Sequence, residues 1–132
     1  MNTNPDVQVL VVDDQAPFRT AMRAVRRHLA GFALAGEAET GEQSIDLVPS
    51  LLPQLVLMDI NLPGISGVEA TRRILEIAPG TVVFLCSTYA QSDLPPAAAT
   101  SGAAAYIHKE ELTAALLRDL WAEHRPDASL PG

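Results

Sequence analysis

Five short apolar runs, separated by patterns typical of amphipathic helices, constrain the fold of this chain more than any other feature. Val7–Val12, Leu55–Met58 and Val82–Cys86 are short, apolar and contain β-branched residues. Such runs are typical of strands that are buried on both faces of a parallel sheet. Ala104–Ile107 is a weaker run of the same kind, and the less apolar Phe32–Ala38 fits an edge strand. The sequence therefore predicts five strands.

Helical patterns lie between these runs. Capping-box patterns predict helix starts at Thr40 and Ser66. A helix within residues 92–102 is expected to be short and loosely held, because Pro95 and Pro96 allow helix only after them. Two apolar stripes recur at helical spacing: Phe18, Met22, Val25 and Leu29, and then Leu112, Leu116 and Leu120. This alternation predicts an α/β fold with a parallel sheet and helices on both faces.

Polar residues follow four of the predicted strands directly. The first strand ends in Asp13 and Asp14, the third in Asp59, the fourth in Ser87-Thr88 and the fifth in His108-Lys109. Ligand chemistry in open parallel sheets collects at the carboxyl ends of the strands. We therefore expect these side chains to form one site.

Three carboxylates at one sheet edge would repel each other. Each pair about 4 Å apart costs on the order of 4 kcal/mol at an effective dielectric near 20. Either one acid is protonated, or a cation lies among them, and oxygen ligands favour a hard ion such as Mg²⁺. With Lys109 and the Ser87 hydroxyl at the same edge, such a site is equipped for phosphoryl transfer to an aspartate.

The runs VLVVDD, LVLMDINLPGISG, FLCST and AYIHK together resemble the receiver domain of two-component response regulators, over about residues 7–122. The resemblance implies a doubly wound, flavodoxin-like fold with five helices and strand order 2-1-3-4-5. It also implies that a sensor histidine kinase donates a phosphoryl group from phosphohistidine to the chain. The implied roles are a phospho-acceptor at Asp59, Mg²⁺ ligands at Asp13, Asp14, Asp59 and the Asn61 backbone carbonyl, a switch hydroxyl at Ser87, a phosphate-binding lysine at Lys109 and a signalling aromatic at Tyr106.

Some positions depart from the family pattern. Glu110 follows Lys109 where receivers commonly have proline, often after a cis bond. A cis bond before a residue other than proline costs about 2.5–4 kcal/mol, so we predict a trans bond and a reshaped loop. Thr88 stands where a smaller residue is usual, and Tyr89 and Asn61 occupy places that tune dephosphorylation in the family. The direction of their effect is left open.

Simpler interpretations exist for several of these residues. Asp14 could cap the following helix, Ser87 could cap a loop, and Tyr106 could be ordinary core packing. Leu117 and Trp121 lie off the last apolar stripe, so they are either a second packed edge or a docking patch for a partner.

Composition excludes several classes of function. The 132 residues carry a net charge of −7, which argues against direct nucleic-acid binding. A cluster of arginines on the first helix fits a solvated face, or else a surface for an acidic protein: Arg19, Arg23, Arg26 and Arg27. No apolar run is long enough to span a membrane, the N-terminus is unlike a signal peptide, and the lone Cys86 fits a reducing compartment. We therefore expect a cytoplasmic protein with a receiver domain at residues 1–124 and a flexible tail at 125–132.

Three classes of function remain. The first is a receiver, not a classical enzyme, whose phosphorylation switches a protein-interaction surface or a dimer. It would stand alone or be a fragment of a longer transcriptional regulator. The second is a phosphorylation-independent interaction module on the same fold. The third, an aspartyl-phosphate hydrolase, is disfavoured because Asn61 stands where such enzymes carry a second acid.

Overall fold

The computed structural model describes residues 6–88 and 94–126 and contains one five-stranded parallel sheet. The spatial order of the strands is β2-β1-β3-β4-β5, which confirms the predicted order. Their bounds are Val7–Val12 (β1), Phe32–Ala38 (β2), Leu55–Asp59 (β3), Val82–Ser87 (β4) and Ala105–His108 (β5). The order reverses between β1 and β3, so the switch point of the sheet lies beside Asp13, which follows β1, and Asp59, which ends β3.

Burial on both faces of the sheet explains why the sequences of the central strands are continuously apolar. Every residue of β3 and β4 is buried, whereas five of the seven residues of the edge strand β2 are only partly buried. Alternate residues of each central strand face opposite layers. Leu57 and Phe84 pack on one side of the sheet, and Met58 and Leu85 on the other.

In the part of the chain that the structure describes, four α-helices cover the two faces of the sheet. They are α1 (Ala16–Arg26), α2 (Gly41–Leu51), α3 (Gly67–Ile77) and α4 (Ala114–His124). Three begin at a hydroxyl side chain that accepts the N–H three residues later: Thr40, Ser66 and Thr113. The predicted helix starts at Thr40 and Ser66 are therefore confirmed.

The prediction of five α-helices was wrong at one place. Within the described residues, the segment before β5 forms a short 3-10 helix at Pro96–Thr100 instead of an α-helix. The two prolines lack backbone N–H groups, and of its residues only Ala98 is buried, so little packing energy favours a longer helix. The predicted tail lies outside the described residues from position 127 onward.

The C-terminal helix settles one alternative. Leu117 is buried, and Trp121 packs edge-on against Phe32 with 6.4 Å between the ring centroids. These two residues therefore form a second packed edge against the sheet. Among the described residues, no helix combines the length and the apolar character that a membrane span needs.

Candidate phosphoryl-acceptor site

Three carboxylates and one ammonium group meet at the carboxyl ends of β1, β3 and β5. Ligand oxygens of Asp13, Asp14 and Asp59 lie within 4.8 Å of one another. Asp13 and Asp59 are buried, and Asp14 is exposed at the mouth of the cluster. The sequence prediction that these strand ends converge is therefore matched by the geometry.

Lys109 connects the two buried acids. Its Nζ donates a 2.6 Å hydrogen bond to Asp13 Oδ2 and lies 3.3 Å from Asp59 Oδ1. The same Nζ is 4.6 Å from the ring centroid of Phe18 on α1, a cation–π distance that the sequence patterns did not predict. The lysine side chain is only 12% exposed, so these contacts are shielded from water.

Burial sets the protonation behaviour of the site. Desolvation raises the pKa of Asp59 to about 6; attraction to Lys109 opposes this shift and repulsion from Asp13 adds to it. Burial by itself would lower the pKa of Lys109, but the hydrogen bond to Asp13 and the attraction of Asp59 outweigh it, so the pKa is raised. Asp59 is therefore mostly ionised at neutral pH, and Lys109 is charged.

The backbone around Asp59 is held by close neighbours. The Asn61 N–H donates a long hydrogen bond of 3.4 Å to Asp59 Oδ1. The Ile60 N–H donates to the Cys86 carbonyl at 3.0 Å, and the Gly67 N–H donates to the Ile60 carbonyl at 2.9 Å. The first turn of α3 is thereby fixed directly against the end of β3.

The loop after β5 contains the trans peptide bond that Glu110 predicts. All peptide bonds of the described residues are trans, and Lys109–Glu111 forms a 3-10 turn. His108 Nδ1 accepts the Glu110 N–H at 3.2 Å, a hydrogen bond that proline at this position could not donate. The prediction of a trans bond after Lys109 is confirmed.

Ser87, Thr88 and Tyr106 are not members of the carboxylate cluster. Ser87 is buried at the end of β4, and Thr88 next to it is exposed. Tyr106, on β5, donates a 2.7 Å hydrogen bond to the Ala98 carbonyl, so it does more than fill the core. Tyr89 lies outside the described residues.

The geometry also decides one simpler interpretation and describes the surroundings of the cysteine. The N-cap of α1 is Gln15, so the proposal that Asp14 caps that helix is wrong. Cys86 is fully buried, and burial raises the pKa of its thiol to about 12, which disfavours the nucleophilic thiolate form.

Arg19, one arginine of the cluster on α1, contacts the site in a way that the sequence did not indicate. Arg19 and Arg23 pair with Glu37 of β2, and the hydrogen bond from Arg23 lowers the pKa of the Glu37 carboxyl. Arg19 also donates to the Asp13 backbone carbonyl at 2.6 Å. Helical spacing alone indicated a solvated face or a surface for an acidic protein, because the pattern carries no information on the neighbouring strand.

The family follows from comparison with known proteins. A model of the response regulator receiver domain matches residues 9–120. The chain belongs to this family. The receiver is 35% identical to the response regulator GacA of Pseudomonas aeruginosa over 123 residues, covering 90% of this chain and 57% of GacA. It is 32% identical to the response regulator UvrY of Escherichia coli over 103 residues, covering 78% of this chain and 47% of UvrY.

Solved structures agree with this assignment. A two-component response regulator of the LuxR family from an Aurantimonas species superposes with a TM-score of 0.78 and 27% identity, covering 94% of this chain and 93% of that one. The receiver spans about half the length of GacA and UvrY.

Proposed function

We propose that this receiver accepts a phosphoryl group on Asp59 from the phosphohistidine of a sensor kinase, in a Mg²⁺-dependent reaction. The observation that carries the proposal is the Lys109 ammonium group between Asp13 and Asp59 at the switch point of the sheet. A cation held beside a buried acid can stabilise the charge on the oxygens of a phosphoryl group that is transferred to that acid.

The three acids fit a metal ion, since their oxygens lie within 4.8 Å of one another and only oxygen ligands are offered. Asp13, Asp14, Asp59 and the Asn61 backbone carbonyl would hold Mg²⁺. When bound, the ion would supply positive charge that offsets the charge of the transferred group.

Asp59 is the nucleophile in this proposal. Its carboxylate is ionised at neutral pH, because its pKa of about 6 lies below that pH. One carboxylate oxygen attacks phosphorus, the phosphorus–nitrogen bond of the donor breaks, and the donor imidazole leaves with the bonding electrons. Lys109 then exchanges part of its contact with Asp59 for a contact with the phosphoryl oxygens.

The output of the switch runs through Ser87 and Tyr106. Ser87 is adjacent to Cys86, which pairs with Asp59 across the sheet. The Tyr106 hydroxyl is bonded to Ala98 in the 3-10 segment Pro96–Thr100. Movement of the Ser87 hydroxyl toward a phosphoryl group would release or reposition that segment and so bias a two-state equilibrium. Thr88, exposed beside Ser87, and Tyr89 would modulate access to the acyl phosphate.

In a second candidate arrangement, this receiver is one part of a longer regulator. The observation in its favour is that GacA and UvrY are about twice the length of the matched region. In either arrangement the receiver would work in the cytoplasm, bind a sensor kinase and a downstream partner or dimer, and contact no nucleic acid itself. The presence of all the acids and Lys109 disfavours a phosphorylation-independent module.

The proposal predicts that the protein gains the mass of one phosphoryl group when it is mixed with phosphoramidate and Mg²⁺. Intact-protein mass spectrometry measures the gain, and EDTA added before the donor is expected to prevent it. Borohydride reduction of the acyl phosphate should mark the peptide that contains Asp59. A protein that gained no mass with Mg²⁺, or gained it on another peptide, would contradict the proposal.

A further inference from the structure

Asp13 is held through its main chain as well as its carboxylate. Its N–H donates to the Ala38 carbonyl at 2.9 Å, continuing the β1–β2 ladder by one residue. Its own carbonyl accepts a 2.6 Å hydrogen bond from Arg19 Nη1. The carboxylate accepts the Gln15 N–H and the Lys109 ammonium group. Arg19 is therefore the side chain that fixes the peptide unit between Asp13 and Asp14.

Arg19 is itself held in place. Its side chain is only 14% exposed, Nε lies 3.4 Å from Glu37 Oε1, and Nη2 lies 3.6 Å from Glu39 Oε1. Each of the three guanidinium nitrogens thus has a different oxygen partner. A planar guanidinium can serve three partners at fixed angles, whereas a lysine ammonium offers only one nitrogen. The result is a rigid link from α1 and β2 to the end of β1.

Asp14 depends on this link more than Asp13 does. Among the described residues, the Asp14 carboxylate makes no hydrogen bond or ion pair. Its direction is therefore set by the backbone, and the Asp13 carbonyl lies in the same rigid peptide plane as the Asp14 N–H. Rotation of that plane would turn the Asp14 carboxylate away from Asp13 and Asp59.

We propose that Arg19 is a positioning residue that presets the Asp13–Asp14 pair for a divalent cation. The inference rests on the proposed function, because the pair matters to signalling only if it holds Mg²⁺. Arg19 touches neither the cation nor the phosphoryl group; it acts by holding the peptide that carries the ligands.

Electrostatics and positioning predict opposite results, which makes the inference testable. Loss of a positive charge close to three carboxylates would by itself strengthen Mg²⁺ binding. Loss of the contact to the Asp13 carbonyl would weaken it, and removal of a group that orients a metal ligand typically costs about 10–100-fold in affinity. A weaker Mg²⁺ affinity after Arg19 is neutralised therefore cannot arise from net charge.

The experiment compares Arg19→Gln with Arg23→Gln. Arg23 also pairs with Glu37 and carries the same charge, but among the described residues its hydrogen bonds and ion pair go to Glu37 and not to Asp13. Isothermal titration of Mg²⁺ into the unphosphorylated full chain is expected to show a Kd raised about 10-fold or more for Arg19→Gln. For Arg23→Gln we expect a Kd that is unchanged or lower. In the metal-free protein, the Asp14 amide resonance should shift in Arg19→Gln and stay in place in Arg23→Gln.

Urea unfolding shows whether Arg19→Gln is folded, so that a weaker Mg²⁺ affinity can be attributed to the lost contact and not to a lost fold. If Arg19→Gln does not fold, Arg19→Lys provides the second variant, because it keeps the charge and loses the three-way geometry; its Kd should also rise. Equal Mg²⁺ affinity in the wild type and in the folded Arg19 variant would overturn the inference while leaving the proposed function intact. A wild-type protein that bound no Mg²⁺ would overturn both.

Discussion

The Asp59→Asn variant is expected to take up no phosphoryl group and, near neutral pH, to be more stable than the wild-type protein. Loss of uptake follows because the amide has no anionic oxygen to attack phosphorus. The gain in stability follows because the ionised Asp59 carboxylate is buried and its attraction to Lys109 does not fully offset the cost of desolvation. An isosteric neutral amide avoids that cost.

The pH dependence of this difference follows from the raised pKa of Asp59. In the folded, metal-free protein the pKa is about 6, compared with 3.8 for the unperturbed group. The folded state therefore binds more protons than the unfolded state between about pH 4 and pH 6, so stability from this group is present at low pH and is lost as pH rises through 6. Above about pH 7 the ionised group costs on the order of 2–3 kcal/mol.

Urea unfolding in EDTA from about pH 4 to pH 7.5 measures this difference. The unfolding free energy of Asp59→Asn should equal that of the wild type at the acid end and exceed it by about 2 kcal/mol at the neutral end. Asp46→Asn is the matched control, since Asp46 is an exposed aspartate on α2. If the difference in unfolding free energy between Asp59→Asn and the wild type were constant across this pH range, burial would not raise the pKa of Asp59.

The sequence was sufficient for the sheet and for the residues that meet at its edge. Buried parallel strands carry a strong local signal, because both faces must be apolar, and the strand-end rule then places Asp13, Asp59 and Lys109 together. The roles of these residues as acceptor, ligand and phosphate-binding group remain predictions. The family and the order of the strands are confirmed.

The sequence was insufficient where a contact depends on how two elements are stacked. The α1 pattern left Arg19 on a solvated face or on a surface for an acidic protein, because nothing in that pattern indicates that Glu37 and the Asp13 carbonyl lie beside it. A short, loosely held helix was predicted within residues 92–102, and the choice between α and 3-10 geometry at Pro96–Thr100 rests on packing that its alanines do not supply. The need for glycine at position 67 could not be predicted either, because the capping pattern at Ser66 does not indicate how closely the helix approaches the Asp59 carbonyl.

Gly67 is the point where the acceptor strand and a helix come closest. A Cβ at this position would overlap the Asp59 carbonyl oxygen and lie 3.0 Å from the Ile60 Cα. Both neighbours are backbone atoms, one in the last residue of β3 and one in the residue after it, so no side-chain rotation can relieve the overlap. Glycine is required here by close approach, and not by its backbone angles, since its φ is not positive.

Gly67→Ala is therefore expected to destabilise the fold by about 3 kcal/mol or more, although alanine is about 1 kcal/mol the better residue within a helix. Gly80→Ala is the matched control, because a Cβ there would meet nothing within 4 Å, and we expect it to change stability by less than about 1 kcal/mol. Urea unfolding of the two variants measures the contrast. Relief of the overlap must move either α3 or the end of β3, so the folded fraction of Gly67→Ala should also take up phosphoryl groups more slowly from phosphoramidate. Equal stability of the two variants would mean that α3 can separate from the Asp59 carbonyl without cost, and the close packing of helix and acceptor strand would then be irrelevant to the site.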